Sequence, residues 1–208
     1  SRVKETGTFP RRIPSGFFVH MLPFTLVTGG TRSGKSRFAV ELAKHLDGRI
    51  AYIATCNAVD REMKQRVERH RQERPAHWTT VEHPSDLVRT LSQLNGKVGG
   101  AIIDCLTMYV SDLLMRGVSE KLTQQKVHRL CKAIRSACYP VIVVTNEVGS
   151  SVVPDHPRGR QFRDLAGLAN QTAASFADEV YLLVAGIPLL IKGRAPSRRS
   201  LHASVLTH

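Results

Sequence analysis

The sequence predicts a single α/β domain, built on a mostly parallel β-sheet with helices on both of its faces. Two observations lead to this fold class. Short apolar runs alternate along the chain with stretches of helical periodicity, and the runs at 101–103 and 141–144 contain no polar residue. Strands that are apolar on both sides are typical of parallel sheets, because the crossover helices cover each face.

The apolar runs mark the strands in chain order. PFTLVTGG opens the series and ends in glycines, whereas VIVVTNEVG is the run richest in β-branched residues. Strands are therefore predicted at 23–30, 49–55, 79–83, 141–149 and 179–186, at the start of 101–114, and at a short edge segment, PLLIK (188–192).

Helical periodicity fills the intervals between these strands. Phe38, Leu42 and Leu46 recur at helical spacing, and Gly48 follows as a stop. Pro75 ends a second helix. The predicted helices cover 36–48, 60–73, 84–94, the second part of 101–114, 120–138 and 164–177.

Length and composition fit one domain with two short tails. The 208 residues are 42% hydrophobic and 23% charged, which is ordinary for a globular protein. We expect a basic N-terminal extension over 1–20, one domain over 21–192 and a basic C-terminal tail over 193–208. Both ends are rich in Pro, Gly and Ser and lack long apolar periodicity, so both are expected to be poorly ordered.

The net charge of +13 does not favour a nucleic-acid-binding protein. Each predicted tail carries +3 of this charge, so nearly half of the excess lies outside the domain. Aromatic residues are 6% of the chain and form no cluster on which bases could stack. No apolar run is long enough to predict a membrane span. Four cysteines without a CxxC pair predict a reduced, cytoplasmic protein.

Eight residues between the first strand and the first helix fit the phosphate-binding pattern GxxxxGK[ST]. Glycines allow the backbone to curl its N–H groups towards one anion, and the helix N-terminus adds positive potential. The lysine reaches the β- and γ-phosphates, and the final hydroxyl binds Mg²⁺. The residues are Gly29, Gly30, Thr31, Arg32, Ser33, Gly34, Lys35 and Ser36. They predict a nucleoside triphosphate site of the P-loop NTPase type.

A second Mg²⁺ contact is expected from an acidic residue at the end of a neighbouring strand. Asp104 ends an apolar strand and is the preferred partner of Ser36 in this role. Glu147, at the end of VIVVTNE, is the competing candidate. Either carboxylate could instead cap a helix or a turn, and the residues alone leave this choice open.

The stretch ERHRQERPAHW contains two histidines among three arginines. By helical phase His70 falls about 20° from Val59 on an apolar stripe, whereas His77 follows Pro75 and lies outside this helix. His70 could be a half-buried histidine at the end of a core stripe. Beside a triphosphate site a second hypothesis arises, because neighbouring arginines disfavour the protonated imidazole and neutralise a phosphate under attack. The second hypothesis is a nucleotidyl-histidine intermediate.

An ordered series of motifs resembles a known family. The motifs are VTGGTRSGKS, YIAT, DREMKQRVERHRQERPAHW, TVE, DCLTMYVSDLL, VVTNEVGSSVVP, FRDLAGLANQ and ADEVYLLVAGIPLLIK. Over about residues 22–192 they look like the bifunctional adenosylcobinamide kinase/adenosylcobinamide-phosphate guanylyltransferase family of cobalamin biosynthesis. The two tails fall outside the resemblance.

The resemblance implies two reactions on one P-loop α/β domain. ATP or GTP phosphorylates the aminopropanol hydroxyl of adenosylcobinamide, and GMP from GTP is then transferred to adenosylcobinamide phosphate. His70 would carry the GMP as a phosphoramidate, and Lys35 would be the catalytic lysine of the phosphate loop. Position 69 is Arg, whereas the resemblance implies a second histidine there in some relatives, so His70 is the single candidate at that position. The resemblance also implies a homotrimer whose sites lie near the subunit interfaces.

The same resemblance implies the residues that contact GTP. Besides the phosphate loop at 29–36, the positions are Ala54, Thr55, Cys56, Arg71, Gln72, Glu73, Arg74, Glu82 and Asp104.

Three alternatives remain at this stage. A P-loop small-molecule kinase with a structural His70 would transfer phosphate without a covalent nucleotide. A relative that kept only the guanylyltransferase activity would form the adduct without phosphorylating cobinamide. A basic nucleic-acid-binding ATPase would bind with a steep dependence on salt.

Overall fold

The fold is described for residues 24–56, 75–149 and 153–193 of the computed structural model. Seven strands and five helices lie within these ranges. The strands are β1 (Phe24–Gly29), β2 (Ile50–Ala54), β3 (Thr79–Glu82), β4 (Gly100–Asp104), β5 (Val141–Val144), β6 (Glu179–Val184) and β7 (Ile187–Lys192). The helices are α1 (Lys35–Ala43), α2 (Leu87–Leu94), α3 (Leu106–Met115), α4 (Glu120–Arg135) and α5 (Pro157–Phe176). The helix predicted at 60–73 lies outside the described residues.

The strands form one sheet in the order β3–β2–β4–β5–β1–β6–β7. Neighbouring strands from β3 to β6 are parallel, and β7 pairs antiparallel with β6. The prediction of a mostly parallel sheet with a C-terminal edge strand is therefore confirmed. Because β5 lies between β4 and β1, the carboxyl ends of these three strands meet next to the loop that follows β1. Ligands of open α/β sheets bind at this edge.

Helices cover both faces of the sheet, as predicted. Successive strand side chains point to opposite faces, so Leu26 and Ile103 pack under α2–α5 while Ile102 packs under α1. Phe38 of α1 is fully buried in the second of these layers. Complete burial of one such side chain contributes about 1.5–3 kcal/mol to the free energy of folding.

Two element boundaries differ from the prediction near the site. α1 ends at Ala43 instead of residue 48, because His45 and Leu46 donate to carbonyls three residues back and tighten the last turn. β5 ends at Val144 instead of residue 149. Beyond it the backbone stays attached to β1, since Glu147 N donates to Gly29 O at 3.0 Å.

The last helix begins seven residues earlier than the predicted residue 164. Pro157 occupies its first turn, where a missing N–H has no consequence, and the His156 side chain accepts a hydrogen bond from Arg158 N. The prediction missed this turn because PRGRQFR has no apolar repeat and contains a glycine. The helix is therefore 20 residues long, from Pro157 to Phe176.

The phosphate loop packs tightly against the end of β6. A Cβ atom on Gly29 would lie 2.5 Å from Leu183 O and 2.8 Å from Ser33 Oγ, and the φ of Gly29 is +149°. The turn between β6 and β7 holds the other side of the loop, since Gly186 N donates to Ser33 O at 3.0 Å. The loop is thus fixed by the sheet on which it sits.

Replacing Gly29 with alanine should lower the free energy of unfolding by about 1–3 kcal/mol, because the new methyl group meets a main-chain carbonyl that cannot move aside. Gly30→Ala is the matched control, since a Cβ there meets nothing within 4 Å, and its effect should stay within about 0.5 kcal/mol. Urea unfolding measures both values. Equal destabilisation by the two variants would contradict the tight packing of Gly29.

Candidate nucleotide site

The N-terminus of α1 is built to receive an anion. Its N-cap residue is Gly34, with φ +95°, and no side chain caps the first turn. The first N–H groups of a helix have no intrahelical partner, and together with the helix dipole they attract phosphate. Arg32 also adopts a positive φ of +57°, which is uncommon for a residue with a side chain. The positive φ angles of Arg32 and Gly34 therefore curve the loop backbone around the N-terminus of α1.

Lys35 folds back over this loop. Its side chain is buried, and Nζ donates to Gly30 O at 2.5 Å and to Ser33 Oγ at 3.5 Å. The ammonium group is therefore held above the curled backbone, next to the helix N-terminus. Ser36 follows in the first turn of α1, where its hydroxyl can serve a metal ion bound to the same phosphates.

Strand register places three predicted nucleotide contacts in one row. Ala54 pairs with Glu82 of β3 on one side and with Asp104 of β4 on the other. Asp104 in turn pairs with Val144, which pairs with Val27 of β1. The row ends at Val27, two residues before the phosphate loop, so these expected GTP contacts and the loop share one edge of the sheet.

Hydrogen bonds fix the ends of β2 and β4 against each other. The Thr55 hydroxyl donates to Cys105 O and accepts from Cys105 N, both at 2.7 Å, and Thr55 N donates to Asp104 O at 2.9 Å. The Tyr52 hydroxyl donates to Oδ2 of Asp104. The carboxylate is therefore oriented by a buried phenol.

Glu147 is fixed even more closely to the phosphate-loop strand. Its Oε1 accepts from the hydroxyl of Thr28 at 2.8 Å and from Nδ2 of Asn170 at 3.0 Å. Both acidic candidates for the Mg²⁺ contact thus lie at the same edge of the sheet. They differ in position, because Glu147 follows the strand adjacent to β1, whereas Asp104 ends the next strand.

The donor atoms present fit a magnesium ion that is held mainly by phosphates. Mg²⁺ is commonly bound through one or two protein oxygens, substrate phosphates and waters. Ser36 and Asp104 provide a hydroxyl and a carboxylate at this edge. Within the described ranges no group of three His, Cys, Asp or Glu side chains could form a protein-only metal cage.

Burial makes Cys105 an unreactive thiol. Desolvation, assisted by the charge of neighbouring Asp104, raises its pKa to about 12. Its Sγ lies 3.2 Å from Oγ1 of Thr107 and 3.7 Å from Nδ2 of Asn146. Cys105 therefore acts as a packing residue at the strand end. Cys56, a predicted nucleotide contact, is partly exposed at the end of β2.

The proposed nucleophile and the predicted contacts at 71–74 lie outside the described residues. The chain leaves β2 after Cys56 at the edge that carries the phosphate loop. It returns through the buried Trp78 into β3, whose first residue pairs with Ala51 at the opposite end of β2. His77, just before Trp78, is exposed and lies at that opposite edge. His77 is therefore separated from the phosphate loop by the length of β2.

Sequence reasoning missed three polar residues that orient the acidic groups, namely Tyr52, Thr28 and Asn170. Tyr52 and Thr28 lie in strands that were interpreted only as apolar runs. The one available signal was Asn170, a buried amide within the apolar face of α5. Buried amides are retained where they make hydrogen bonds.

None of the described helices is both long and apolar enough to cross a membrane.

Known protein structures support the fold. A chain described as a prototypical ATPase from the type III secretion system of pathogenic bacteria superposes with a TM-score of 0.51 and 13% identity, covering 77% of this chain and 51% of that chain. This likeness concerns the fold alone, and it agrees with the predicted P-loop NTPase-like architecture.

Sequence relatives are much closer. The bifunctional adenosylcobalamin biosynthesis protein CobU of Escherichia coli K12 is 40% identical over 182 residues, which covers 80% of this chain and 98% of that protein. CobP of Pseudomonas aeruginosa, with the same description, is 38% identical over 168 residues, covering 81% and 96% of the two chains. The family model for cobinamide kinase / cobinamide phosphate guanyltransferase matches residues 25–191. The chain belongs to this family of enzymes, as its motifs predicted.

Proposed function

We propose that the protein carries out both reactions of its family with the nucleoside triphosphate bound in loop 29–36. It first phosphorylates the hydroxyl of adenosylcobinamide. It then transfers GMP from GTP to adenosylcobinamide phosphate, which gives adenosylcobinamide-GDP and pyrophosphate. One observation carries this proposal. The buried Lys35 lies above the phosphate loop, at the same edge of the sheet as the row formed by Glu82, Ala54 and Asp104.

The proposed binding mode assigns the phosphates to the loop and the helix N-terminus. Ser36 and Asp104 hold Mg²⁺, which neutralises charge on the phosphate oxygens. Ala54, Thr55, Cys56 and Glu82 contact the nucleoside side of GTP at the ends of β2 and β3. Either ATP or GTP serves the kinase step, since both present the same triphosphate to the loop.

His70 is the proposed nucleophile of guanylyl transfer. An imidazole nitrogen attacks the α-phosphorus of GTP, and the bond to the bridging oxygen breaks to release pyrophosphate. The acceptor phosphate then attacks the same phosphorus and displaces the histidine. Arg71 and Arg74 are assigned to the GTP phosphates, and Gln72 and Glu73 are further proposed GTP contacts. The support is that the chain leaves β2 at the phosphate-loop edge, where β2 ends at Ala54, 16 residues before His70 in the sequence (70 − 54).

Incubation with α-³²P-GTP and Mg²⁺ should label the wild-type protein with one acid-labile, alkali-stable adduct. His70→Ala should remove the label, because no nitrogen is left to form the phosphoramidate. His77→Ala is the matched control and should be labelled as the wild type is. Autoradiography of acid- and alkali-treated samples measures the adduct.

Two outcomes of this labelling would be decisive against the proposal. Equal labelling of His70→Ala and the wild type would remove His70 as nucleophile. A wild-type protein that phosphorylates adenosylcobinamide without any label would support a monofunctional kinase instead.

Lys35→Ala should reduce both activities by at least about 100-fold, because in both reactions the positive charge of Lys35 stabilises the negative charge of the triphosphate. Each activity is measured separately, with adenosylcobinamide for the kinase and with adenosylcobinamide phosphate for GMP transfer. Lys44→Ala, at an exposed lysine just beyond the same helix, is the control. Full kinase activity in Lys35→Ala would contradict a shared triphosphate site.

The proposed enzyme is a cytoplasmic homotrimer without affinity for nucleic acid. Ile187, Leu189 and Ile191 support a contact between copies, because each is more than half exposed and all three lie on one face of edge strand β7. Sedimentation equilibrium gives the mass directly. A monomeric active enzyme would contradict the trimer.

A further inference from the structure

The two oxygens of the Glu147 carboxylate differ in their contacts: Oε1 accepts hydrogen bonds from the protein, and Oε2 is open to a ligand. Thr28 and Asn170 both donate to Oε1, whereas Oε2 accepts no hydrogen bond from the described part of the chain. Glu147 is partly exposed, and its main-chain N–H is bonded to Gly29 O. One carboxylate oxygen is thus fixed beside the first glycine of the phosphate loop, and the second is available to a ligand.

Asn170 appears in the fold as a support for this carboxylate. It comes from the buried face of α5, where its neighbours are leucine and alanine. Its Oδ1 accepts from the Thr145 hydroxyl at 2.6 Å, and its Nδ2 donates to Asn146 O and to Glu147, both at 3.0 Å. An unsatisfied buried amide costs about 1–3 kcal/mol. Here every bond of the amide is directed at residues 145–147, which fixes the segment that presents Glu147.

The two carboxylates at this edge are suited to different tasks. Asp104 ends β4, which β5 separates from β1, so it does not end the neighbouring strand that the sequence led us to expect. It remains the Mg²⁺ contact proposed together with Ser36, because it lies at the same edge of the sheet as the phosphate loop. Glu147 follows the strand adjacent to β1. Enzymes that transfer phosphoryl groups also need a residue that orients or deprotonates the attacking group. Glu147 is the one described acidic residue that is hydrogen-bonded both to β1 and to the phosphate loop.

We propose that Glu147 is the general base of the kinase reaction and that Asn170 is its positioning residue. This role rests on the proposed function. Oε2 of Glu147 accepts the proton as the O–H bond of the substrate alcohol breaks. The alcohol oxygen bonds to the γ-phosphorus, and the bond from that phosphorus to the bridging oxygen breaks, so that the nucleoside diphosphate leaves with the electron pair. The proton on Glu147 passes to water before the next turnover.

The second reaction makes no such demand on Glu147. Its acceptor is a phosphate monoester, which is already largely dianionic at neutral pH and brings no alcohol proton. The base is therefore needed for phosphorylation and not for GMP transfer. An Mg²⁺ ligand would instead be needed for both, because both reactions use a metal-bound triphosphate. The two roles for Glu147 thus predict different results in one variant.

Glu147→Gln keeps an oxygen that can accept from Thr28 and Asn170 but removes the basic carboxylate. Its kinase turnover number should fall by about 10²–10⁴-fold, while the KM for the triphosphate stays within about twofold. GMP transfer to supplied adenosylcobinamide phosphate and the α-³²P label on the protein should remain within about twofold of wild type. These retained activities also show that the variant is folded.

Asn170→Ala tests the positioning role. It should lower the kinase turnover number by at least about tenfold without raising the KM for the triphosphate. Combined with Glu147→Gln, it should cause little further loss, because residues acting through one another are not additive. Glu147→Asp, which retains a carboxylate, should recover part of the rate lost in Glu147→Gln.

Two results for Glu147→Gln would overturn the role of Glu147 as the base, and two further results bear on Asn170 and on the kinase activity itself. Loss of both activities in Glu147→Gln would assign it to the metal or to the loop structure, and retention of both would leave it without a catalytic role. Independent, multiplicative losses in the double variant would refute the positioning role of Asn170. A wild-type protein that transfers GMP but never phosphorylates adenosylcobinamide would instead refute the kinase half of the proposed function, and with it any kinase base.

Discussion

The phosphate loop depends on the close approach of Gly29 to its two neighbouring strands. On the β6 side a main-chain carbonyl lies where any side chain of Gly29 would have to stand. On the β5 side the same glycine accepts a hydrogen bond from Glu147 N. The loop that binds the triphosphate and the segment that carries the acidic side chain are therefore fixed to the same residue. Movement of one would displace the other, so the loop and the Glu147 carboxylate keep a constant spacing.

We propose that this arrangement lets one triphosphate site serve two kinds of attack. The kinase reaction breaks the bond to the γ-phosphorus, and guanylyl transfer breaks the bond to the α-phosphorus. In the proposed mechanism the loop and Lys35 stabilise charge on the phosphates in both cases, since each leaving group is an anion. The proposed nucleophile differs between the two reactions: it is an alcohol in the first and His70 in the second. We assign Glu147 to the alcohol because an alcohol must lose a proton, whereas a neutral imidazole attacks with its lone pair.

The sequence was sufficient for the fold and for part of the site. Apolar strands and the GxxxxGK[ST] spacing predicted the parallel sheet and the loop, because both depend on local pattern. The roles of Tyr52 and Asn170 could not be predicted in this way. Each acts on a residue distant along the chain, 52 residues away for Tyr52 and Asp104. Strand order brings Tyr52 to Asp104, whereas the packing of α5 on the sheet brings Asn170 to Glu147. The early start of α5 was missed for a local reason, since its first two turns lack an apolar face.

Both reactions are proposed to bind their triphosphate in the same phosphate loop. Inhibition by Mg²⁺-tripolyphosphate tests this proposal most directly. This inorganic ion carries the phosphates without the base, so it competes for the loop alone. It should inhibit phosphorylation of adenosylcobinamide and GMP transfer competitively against the nucleotide, with the same inhibition constant in both assays. Two clearly different constants, or inhibition of one reaction only, would show that the reactions use separate triphosphate sites and would contradict this account.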